Sequence, residues 1–490
     1  MEVYNLGSSR HLCWDDMLIE KNDGADIVMH KLEKKEISLN ANKPWEGPHN
    51  GYAGVIKTQD AYRLYYRAFS SIFGNDCDIN EIIPPAFCVA FSKDGKKYLH
   101  PKLGLHDVCG CDNNIIHYED KYVDNFSVFY DENPDCPPDE KYKALKMGIV
   151  DKKPVLYLHT SPDGIKFSDA VILDVDGEFD TYNVMLWDKE TKQYFLYYRG
   201  YHKPKFSSCE DKKSDVERID ESDQIRDIRV ATSKDFKTFT LHGEITFLNE
   251  ETEDIQYYTN QIFKYPRADD MFIALPTRYI DRKEDIHNFE QMPLWERRKK
   301  IIDKDGRSGT AITDTILMTS RDGFNFKRCD EAFFTPSEEC DANWWYGDCY
   351  FAYGMAETES DTEGAPNELS LYVGEGYRVQ NVSFRRYTMR LDGFYSWYAK
   401  HRGGAILTKP FAFKGEELEI NFSTSAYGHL IITVCDIDGN ELDGYKTGKL
   451  FGDSVDRKIK FGQSLSNIKD SAIRLKIELK DAHLYSFKFN

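Results

Sequence analysis

Short runs in which apolar and polar residues alternate fill most of the chain, and turn-forming residues separate them. The clearest runs are YRLYYRAF (residues 62–69), QYFLYYRGY (193–201) and ELSLYVGEGY (368–377). A period of two with many aromatic residues is typical of β-strands that have one face against a core. The pattern therefore predicts an all-β fold.

A short segment recurs at the end of each group of alternating runs. It reads FSKDGKKY (91–98), TSPDGIKF (160–167), TSKDFKTF (232–239), TSRDGFNF (319–326) and, in degenerate form, MRLDGFYSW (389–397). An Asp-Gly pair favours a tight turn, because Asp accepts bonds from backbone amides two residues on and Gly tolerates positive φ. We expect the aspartates to form turns and to have no catalytic role: Asp94, Asp163, Asp235, Asp322 and Asp392.

The copies are spaced by about 70 residues, with one longer interval, and each follows two or three further strand patterns. A unit of three to four antiparallel strands is one propeller blade, and a closed ring of blades leaves no exposed edge. Residues 1–398 are thus expected to form a five-bladed β-propeller. Residues 399–490 show short strands broken by glycine and Asp-Gly turns, which favours a C-terminal β-sandwich. The surplus in the longer interval falls in residues 281–310, a charged stretch with partly helical pattern, which we expect to be an insertion over one face.

Net charge and cysteine spacing limit the classes of binding partner and metal site that this protein can have. A net charge of −19 argues against nucleic acid and anionic membrane surfaces, which need a clustered positive face. The first residues lack the basic and apolar regions of a secretory signal. The 11 cysteines show no zinc-ligand spacing. We expect a cytoplasmic protein without a metal or cofactor; the sequence is compatible with a homo-oligomer but does not decide it.

The inner strand of each blade would line a central channel, so residues just before those strands should meet there. Acids in these positions are candidates because glycosidic bond cleavage needs two carboxyl groups, one to donate a proton and one to attack or activate water. The alternative is that each is a turn or capping acid. The catalytic candidates are Asp180, Asp341, Glu46 and, from the N-terminal segment HLCWDDMLIE read as a hydrophobic strand, Asp16. We call the residues just before the inner strands the entrances. The substrate-binding candidates from these entrances are Asp124, Asn260, Trp344 and Trp345.

Three arginines end the second strand pattern of their blades: Arg67, Arg199 and Arg278. If they face the channel they can hold an anionic group bidentately; if they face outward they are ordinary strand-end cations. We include all three among the substrate-binding candidates.

The blade motif S-x-D-G-x-x-F and the segment FDTYNVMLWDKETKQYFLYYRGY resemble the five-bladed propeller glycoside hydrolases, the superfamily of β-fructosidases, arabinanases and xylosidases. HLCWDDMLIE and CDNNII are similar to a bacterial branch of that group. The resemblance implies an acid on the first blade as nucleophile or base, an Asp that contacts the sugar, and a Glu as general acid. Asp180 matches the sugar-contacting Asp. The Asn-Asp-Pro-Asn-Gly and Glu-Cys-Pro motifs of fructosidases are missing.

We therefore expect a glycoside hydrolase acting on an oligosaccharide or glycoside, with a furanoside as one candidate substrate. A phosphate-dependent glycoside phosphorylase and a non-catalytic sugar-binding propeller remain alternatives. The sequence does not determine the sugar, the linkage, the stereochemical outcome or which carboxylate is the acid.

Overall fold

The computed structural model describes residues 3–73, 79–118, 125–206, 224–304, 306–469 and 471–490. Strands dominate its regular structure, so the prediction of an all-β fold is confirmed. Among the described residues, every helix is too short or too polar to cross a bilayer.

Five sheets follow one another along the chain, antiparallel except where Thr246–Phe247 pairs in parallel with Asn325–Arg328, and the fifth is completed by a strand from the N-terminal part of the chain. The strands, given from the first strand of each sheet outward, are Gly51–Lys57, Tyr62–Ala68, Ala86–Ser92 and Ile115–Tyr118; Ser127–Tyr130, Tyr142–Val150, Lys153–Ser161 and Val171–Ile172; Val184–Asp188, Gln193–His202, Ile225–Ser233 and Phe239–Glu244; Ile262–Lys264, Phe272–Ala274, Met318–Ser320, Asn325–Arg328 and Thr246–Phe247; and Ala356–Thr358, Glu368–Glu375, Ser383–Arg390 and Glu33–Asn40.

Smaller elements extend these sheets. Gln256–Tyr257, Thr277–Asp281 and Ala311–Thr315 form a three-stranded continuation of the fourth sheet, and Ser71–Phe73 pairs with Ile79–Glu81. The helices are all short: Ile286–Phe289, Trp295–Lys304 and Gly306–Thr310, with 3-10 turns at Pro138–Glu140, Lys283–Asp285 and Leu465–Asn467.

Five apolar cores each lie between two consecutive sheets, and the one between the fifth and first sheets includes Phe384, Leu64 and Cys88. Alternation produces these cores, because every second side chain of a strand faces the neighbouring sheet. Burying one Leu, Ile or Phe contributes about 1.5–3 kcal/mol, so no single contact decides the packing.

The first strands of successive sheets lie side by side at the centre. There the strand Gly51–Lys57 makes a parallel bridge from Gly54 to Tyr353. A Cβ at Gly54 would lie 2.5 Å from the Tyr182 hydroxyl, which only glycine avoids. The rings of Tyr182 and Tyr353, 6.2 Å apart, fill the axis at this level. A ligand site between the sheets must therefore lie at an end of the axis.

The recurring Asp-Gly segments form the expected turns in four sheets. In the first, Asp94 accepts bonds from the Ser92 hydroxyl (2.8 Å) and the Lys96 amide (2.9 Å), and Asp163, Asp235 and Asp322 repeat this geometry. The fifth copy differs: Asp392 is fully buried and receives bonds from Tyr265, Arg267 and Ser486.

The N-terminal segment belongs to the C-terminal unit. Tyr4–Gly7 pairs with Phe411–Phe413, Ile19–Asp23 with Gly404–Thr408, and Asp26–Met29 with Tyr395–Ala399. Two long strands, Leu418–Cys435 and Arg474–Phe489, form the centre of this unit, and Leu418–Cys435 also pairs with Glu441–Lys446 and Asp453–Ile459.

The reading of HLCWDDMLIE as one strand is wrong. Only His11–Leu12 at its start and the residues from Ile19 at its end are extended, and the part between them is a turn. His11–Leu12 pairs with Arg474–Phe489, and the edge of the fifth sheet is occupied instead by Glu33–Asn40.

Candidate active site

Six tyrosines gather at the centre, where chain segments enter the first strands or leave the second strands. Tyr258 contacts three of the others, with ring centroids at 5.5 Å from Tyr346 and 5.9 Å from both Tyr279 and Tyr350. The hydroxyl of Tyr346 donates to that of Tyr258. We call the set the central tyrosines: Tyr52, Tyr258, Tyr279, Tyr346, Tyr350 and Tyr377.

Four guanidinium groups pack on the rings of Tyr258, Tyr279, Tyr346 and Tyr377. Arg199 lies 4.8 Å from the centroid of Tyr258, and Arg226 lies 5.5 Å from it. Arg307 is within 6 Å of Tyr258, Tyr279 and Tyr346, and Arg378 is 4.6 Å from Tyr346. We call them the central arginines: Arg199, Arg226, Arg307 and Arg378.

Asp180 is the carboxylate paired with this set. Its Oδ2 lies 3.7 Å from Nη1 of Arg199; the Arg199 side chain is only 2% exposed, whereas that of Asp180 is 70% exposed. Arg199 also donates to the backbone carbonyl of Tyr258. Asp180 thus stands at the open side of the cluster, with an ionic and aromatic wall behind it.

The positive charge alters the ionisation of neighbouring groups. Burial alone would raise the pKa of Tyr258, but the charges of Arg199 and Arg307 outweigh it, and the pKa lies below that of an ordinary tyrosine. Burial, assisted by Arg378 and Arg67, lowers the pKa of His49 to about 3. Burial raises the pKa of Tyr52 and Tyr350. Tyr258 is therefore the central phenol that most readily gives up its proton.

The three arginines proposed from sequence separate in the structure. Arg199 is a central arginine, and Arg67 lies beside it in the cluster, 5.1 Å from the ring of Tyr52, donating to the His49 carbonyl. Arg278 instead forms a bidentate pair with Asp314, at 2.9 and 2.6 Å. Its charge is compensated within its own sheet, so the anion-binding role expected for it is not supported.

Glu46 is buried away from the central cluster. Its carboxylate accepts bonds from the Tyr66 hydroxyl, His100 Nε2 (3.0 Å) and the Lys43 amide (2.8 Å). These contacts fit a capping acid that fastens the first sheet to the preceding loop. The catalytic role expected for Glu46 is not supported by its position.

Three candidates from the segment ECDANWW (residues 339–345) also make structural contacts. Asp341 is exposed, and its carbonyl accepts from Trp345 Nε1 at 3.1 Å. The Trp345 ring is buried beneath the Arg298 guanidinium, 4.0 Å away, so it is not open for sugar stacking. Trp344 is partly exposed and donates to the Ser337 carbonyl.

Three further candidates lie elsewhere. Asp16 is exposed in a surface depression of the C-terminal unit, near Asn22 and Lys409. Asn260 is buried and bonds backbone carbonyls of Tyr182 and Tyr197, both at 3.4 Å. Asp124 falls outside the described residues.

A buried acid near the fifth first strand was not among the candidates. Asp348 is 5% exposed, accepts from the Trp345 amide at 2.8 Å, and has a pKa raised to about 7 by burial. Four buried asparagines occupy the matching place before the other first strands: Asn50, Asn125, Asn183 and Asn260. A comparison of the five entrances, N-G-Y-A, N-F-S-V, N-V-M-L, N-Q-I-F and D-C-Y-F, would have singled out this one acid.

The central tyrosines and three of the arginines were also missed. Tyr258 and Tyr346 stand in or beside entrances that sequence analysis identified, but tyrosines are common in strands and only contact distinguishes them. Arg226, Arg307 and Arg378 come from a third strand, an insertion and a loop. No sequence pattern relates these three places.

An open groove of about 850 Å³ leads to Arg199 between the second and third sheets. Along one wall, Asp174, Asp176 and Glu178 are exposed at alternate positions of the segment that ends at Asp180. Arg199 is the residue that this groove shares with the central cluster.

One group of metal-ligand type occurs in the described residues. His202, Asp227 and Glu244 place ligand atoms within 4.8 Å of one another. Lys205 pairs with Glu244 and Arg229 with Asp227, both at 3.2 Å, so the carboxylates are already neutralised by cations. The group fits a surface ion network better than a metal site.

Comparison with known proteins gives structural matches alone: no family model matches the chain, and no curated protein is similar to it in sequence. One match is a structure described under the GH130 family of mannoside phosphorylases, containing glycoside hydrolases that target β-1,2 mannosidic linkages in Candida mannan. It has 13% identity, covers 73% of this chain and 94% of that one, and has a TM-score of 0.41.

A glycoside hydrolase family 43 arabinoxylan arabinofuranohydrolase from Bacillus subtilis, in complex with cellotetraose, matches over 94% of this chain and 99% of its own, with 10% identity and a TM-score of 0.28. An N-acetylgalactosamine deacetylase from F. plautii, in complex with blood group B trisaccharide, has 10% identity, 76% and 96% coverage, and a TM-score of 0.42. A thermostable family-43 glycoside hydrolase also matches, with 10% identity, 74% and 96% coverage, and a TM-score of 0.40.

Proposed function

We propose that this protein is a glycoside-processing enzyme that cleaves a glycosidic bond at the central cluster. In this proposal the five sheets are the blades of a β-propeller and the C-terminal unit is a β-sandwich that braces it. The proposal is supported chiefly by one observation: Asp180 stands at the open side of the central tyrosines, 3.7 Å from buried Arg199. A carboxylate, a phenol and sugar-sized aromatic faces then lie together where the first strands meet.

Two groups would share the acid–base work. Asp180 is exposed, so its carboxylate can take a proton from an attacking water. The lowered pKa of Tyr258 makes its phenol a better proton donor than that of an ordinary tyrosine. The bond from the anomeric carbon to the leaving oxygen would break as the bond to water forms. The water proton would pass to Asp180, and the Tyr258 proton to the leaving oxygen.

This pairing replaces the pair of carboxylates expected from sequence. Among the described residues, Glu46 and Asp341 make their contacts away from the central cluster, and Asp180 is the candidate catalytic acid that remains in it. Tyrosine is among the side chains that act as general acids, and in sialidases it replaces the carboxylate as the nucleophile. Furanoside specificity has no support from these contacts.

The first test is Asp180→Asn, assayed on a panel of aryl glycosides and natural oligosaccharides. We expect kcat to fall by about 100-fold or more because the water loses its base. Asp176→Asn is the matched control, because Asp176 is an exposed acid four residues before Asp180 in the same segment. This variant should keep near-normal turnover. Equal activity of both variants would remove Asp180 from the mechanism.

The role of Tyr258 is tested by its pH dependence. A general acid must be protonated, so activity should decline on the alkaline side, starting below the pKa of an ordinary tyrosine. Tyr258→Phe should lower kcat by about 100-fold, whereas Tyr377→Phe should lower it much less. A pH–rate profile that is unchanged in Tyr258→Phe would contradict the assignment.

Phosphorolysis is the second candidate function, because the central arginines could hold phosphate in place of water. Turnover would then require inorganic phosphate and yield a sugar phosphate. Saturable sugar binding with no turnover in either condition would instead favour a non-catalytic binding protein.

A further inference from the structure

The central arginines carry more positive charge than their surroundings neutralise. Of the four, Arg199 has a carboxylate partner, Asp180, at 3.7 Å. Arg226, Arg307 and Arg378 have none among the described residues; Arg226 donates to the neutral amide of Gln256. A protein with a net charge of −19 thus concentrates cations at its centre.

Part of the hydrogen-bonding capacity of the central arginines is also unused. The Nε atoms of Arg199, Arg226 and Arg378 are buried and make no hydrogen bond within the described residues. A buried guanidinium donor without an acceptor costs free energy, and charged hydrogen bonds to carboxylate or phosphate oxygens are the strongest way to satisfy it. Three such donors at one place indicate that the acceptor comes from a ligand.

Packing holds these groups in position before a ligand arrives. Each guanidinium lies against the face of a central tyrosine, and Tyr258, Tyr279 and Tyr346 each receive more than one. The centroids of the Tyr258 and Tyr346 rings are 5.5 Å apart, and each central arginine lies within 6 Å of one of them, so the four cations are gathered around one pair of rings. Stacking on aromatic rings restricts a guanidinium while leaving its edge donors open.

We infer that the ligand of the central cluster carries an oxyanion, a carboxylate or a phosphate, bound by Arg199, Arg226, Arg307 and Arg378. This inference rests on the proposed function only for the identity of the site, and it names the substrate class: an acidic sugar, or a sugar processed together with phosphate. The hydroxyl oxygens of a neutral sugar can accept from these donors, but they bring no negative charge to offset the guanidinium groups.

Direct binding tests the inference without any assay of turnover. Glucuronate, galacturonate, inorganic phosphate and glucose 6-phosphate are titrated into the full chain by calorimetry, with glucose and galactose as neutral counterparts. We expect at least one anion to bind, more weakly at high salt, and the neutral sugars to bind at least about 10-fold more weakly. A uronate response indicates an acidic sugar, and a response to phosphate alone indicates a phosphate co-substrate.

Two substitutions and a matched control locate the binding site. Arg226→Gln and Arg307→Gln should each weaken anion binding by about 10-fold, the loss of one charged hydrogen bond. Arg278→Gln should leave it unchanged, because Arg278 is paired with Asp314. Circular dichroism of each variant verifies folding.

A spectroscopic titration gives an independent readout. The arginine charges lower the pKa of Tyr258, so a bound anion that neutralises them should shift the tyrosinate absorbance change to higher pH. Absence of anion binding, or binding that survives both glutamine substitutions, overturns the inference. Loss of turnover in Asp180→Asn with no anion binding would leave the proposed function standing and the inference refuted.

Discussion

At the scale of single residues, burial decides what an aspartate does in this protein. Asp94 and its equivalents are turn formers whose carboxylates accept from nearby amides, and their pKa is lowered from the ordinary value despite some burial. Asp348 is as deeply buried as the asparagines at the matching positions, but its pKa is raised to about 7. The same side chain is therefore ionised in one place and near half-protonated in another at neutral pH.

Asp348 should make the protein less stable as pH rises. Its folded pKa is about 7 and its ordinary value is 3.8, so between these values the folded state holds one more proton than the unfolded state. The free energy of unfolding therefore falls from about pH 4 to pH 7. Asp348→Asn removes this fall. At pH 8 we expect the free energy of unfolding of this variant to exceed that of the parent protein by about 2–4 kcal/mol, so that it unfolds at a higher urea concentration.

The control for that experiment is Asp341→Asn, because Asp341 is exposed in the same segment. It should leave the pH dependence as in the parent protein. Urea unfolding at pH 5 and pH 8 checks both variants. If the stability of Asp348→Asn depended on pH as that of the parent protein does, titration of Asp348 would not be the cause of the pH dependence.

At the scale of elements, a buried cation helps to attach the helical insertion between Thr277–Asp281 and Ala311–Thr315 to the rest of the chain. Arg298 of the helix Trp295–Lys304 donates to the carbonyls of Gly309 (3.1 Å) and Trp344 (2.8 Å) and covers the Trp345 ring. Burial lowers its pKa to about 10, which leaves it charged at neutral pH. The insertion carries Arg307, so its attachment also sets the composition of the central cluster.

Arg298→Met should release this insertion without unfolding the rest. Both hydrogen bonds are lost while most of the side-chain volume is kept, so amide exchange across residues 286–310 should accelerate by about 10-fold or more. Ligand binding at the central cluster should weaken with it. Hydrogen-exchange mass spectrometry makes the measurement.

Lys299→Met is the matched control, because the Lys299 side chain is exposed and, among the described residues, forms its ion pair with Asp303 of the same helix. Its exchange rates should stay close to those of the parent. Arg298→Lys should restore protection only in part, because lysine lacks the planar fork that reaches both carbonyls. Equal exchange in the Met variants would show that other contacts hold the insertion.

At the scale of the whole molecule, Asp392 joins segments that are far apart in the chain. Its carboxylate accepts from Tyr265 and Arg267 of the fourth sheet, at 2.8 Å each, and from Ser486 of the C-terminal unit at 2.6 Å. Arg10 lies 3.5 Å from it and also pairs with Glu419. The fifth copy of the turn motif has thus become a junction between the sheets and the C-terminal unit.

Asp392→Ala should destabilise the protein by about 3–5 kcal/mol, because it leaves the buried Arg10 and the half-buried Arg267 without their shared partner. Burial opposes ionisation of Asp392, but Arg267 and Arg10 lower its pKa overall. Its contribution is therefore present above the ordinary value of 3.8 and is lost as pH falls through the lower folded pKa. Urea unfolding at neutral and acidic pH measures both effects.

Asp94→Ala, at the equivalent turn of the first sheet, is the control and should cost clearly less, since its carboxylate accepts from the nearby Ser92 hydroxyl and from exposed backbone amides and, in the part of the chain that the structure describes, pairs with no buried cation. If the two variants lose similar stability, the junction adds nothing to the turn. A loss for Asp392→Ala that persists undiminished in acid would equally contradict an ionic role.

Local interactions explain what could be predicted from the sequence by itself. Alternation of apolar and polar residues determined the all-β class and the strand positions, and the Ser-x-Asp turn determined its own geometry, because its hydrogen bonds join residues two or three apart. The helical pattern of residues 281–310 is likewise confirmed. The five-blade count and the boundary at residue 398 remain predictions.

Only the tertiary structure decided which polar residues meet. Glu46, Asp180 and Asp341 stood in comparable sequence positions, but long-range contacts turned Glu46 toward His100 and left Asp180 beside Arg199. Tyr258, Arg307 and Arg378 come from separate elements and share no pattern that could relate them. Periodicity tells which side of a strand a residue faces, whereas a site is made by the relative placement of strands, which depends on packing over the whole chain.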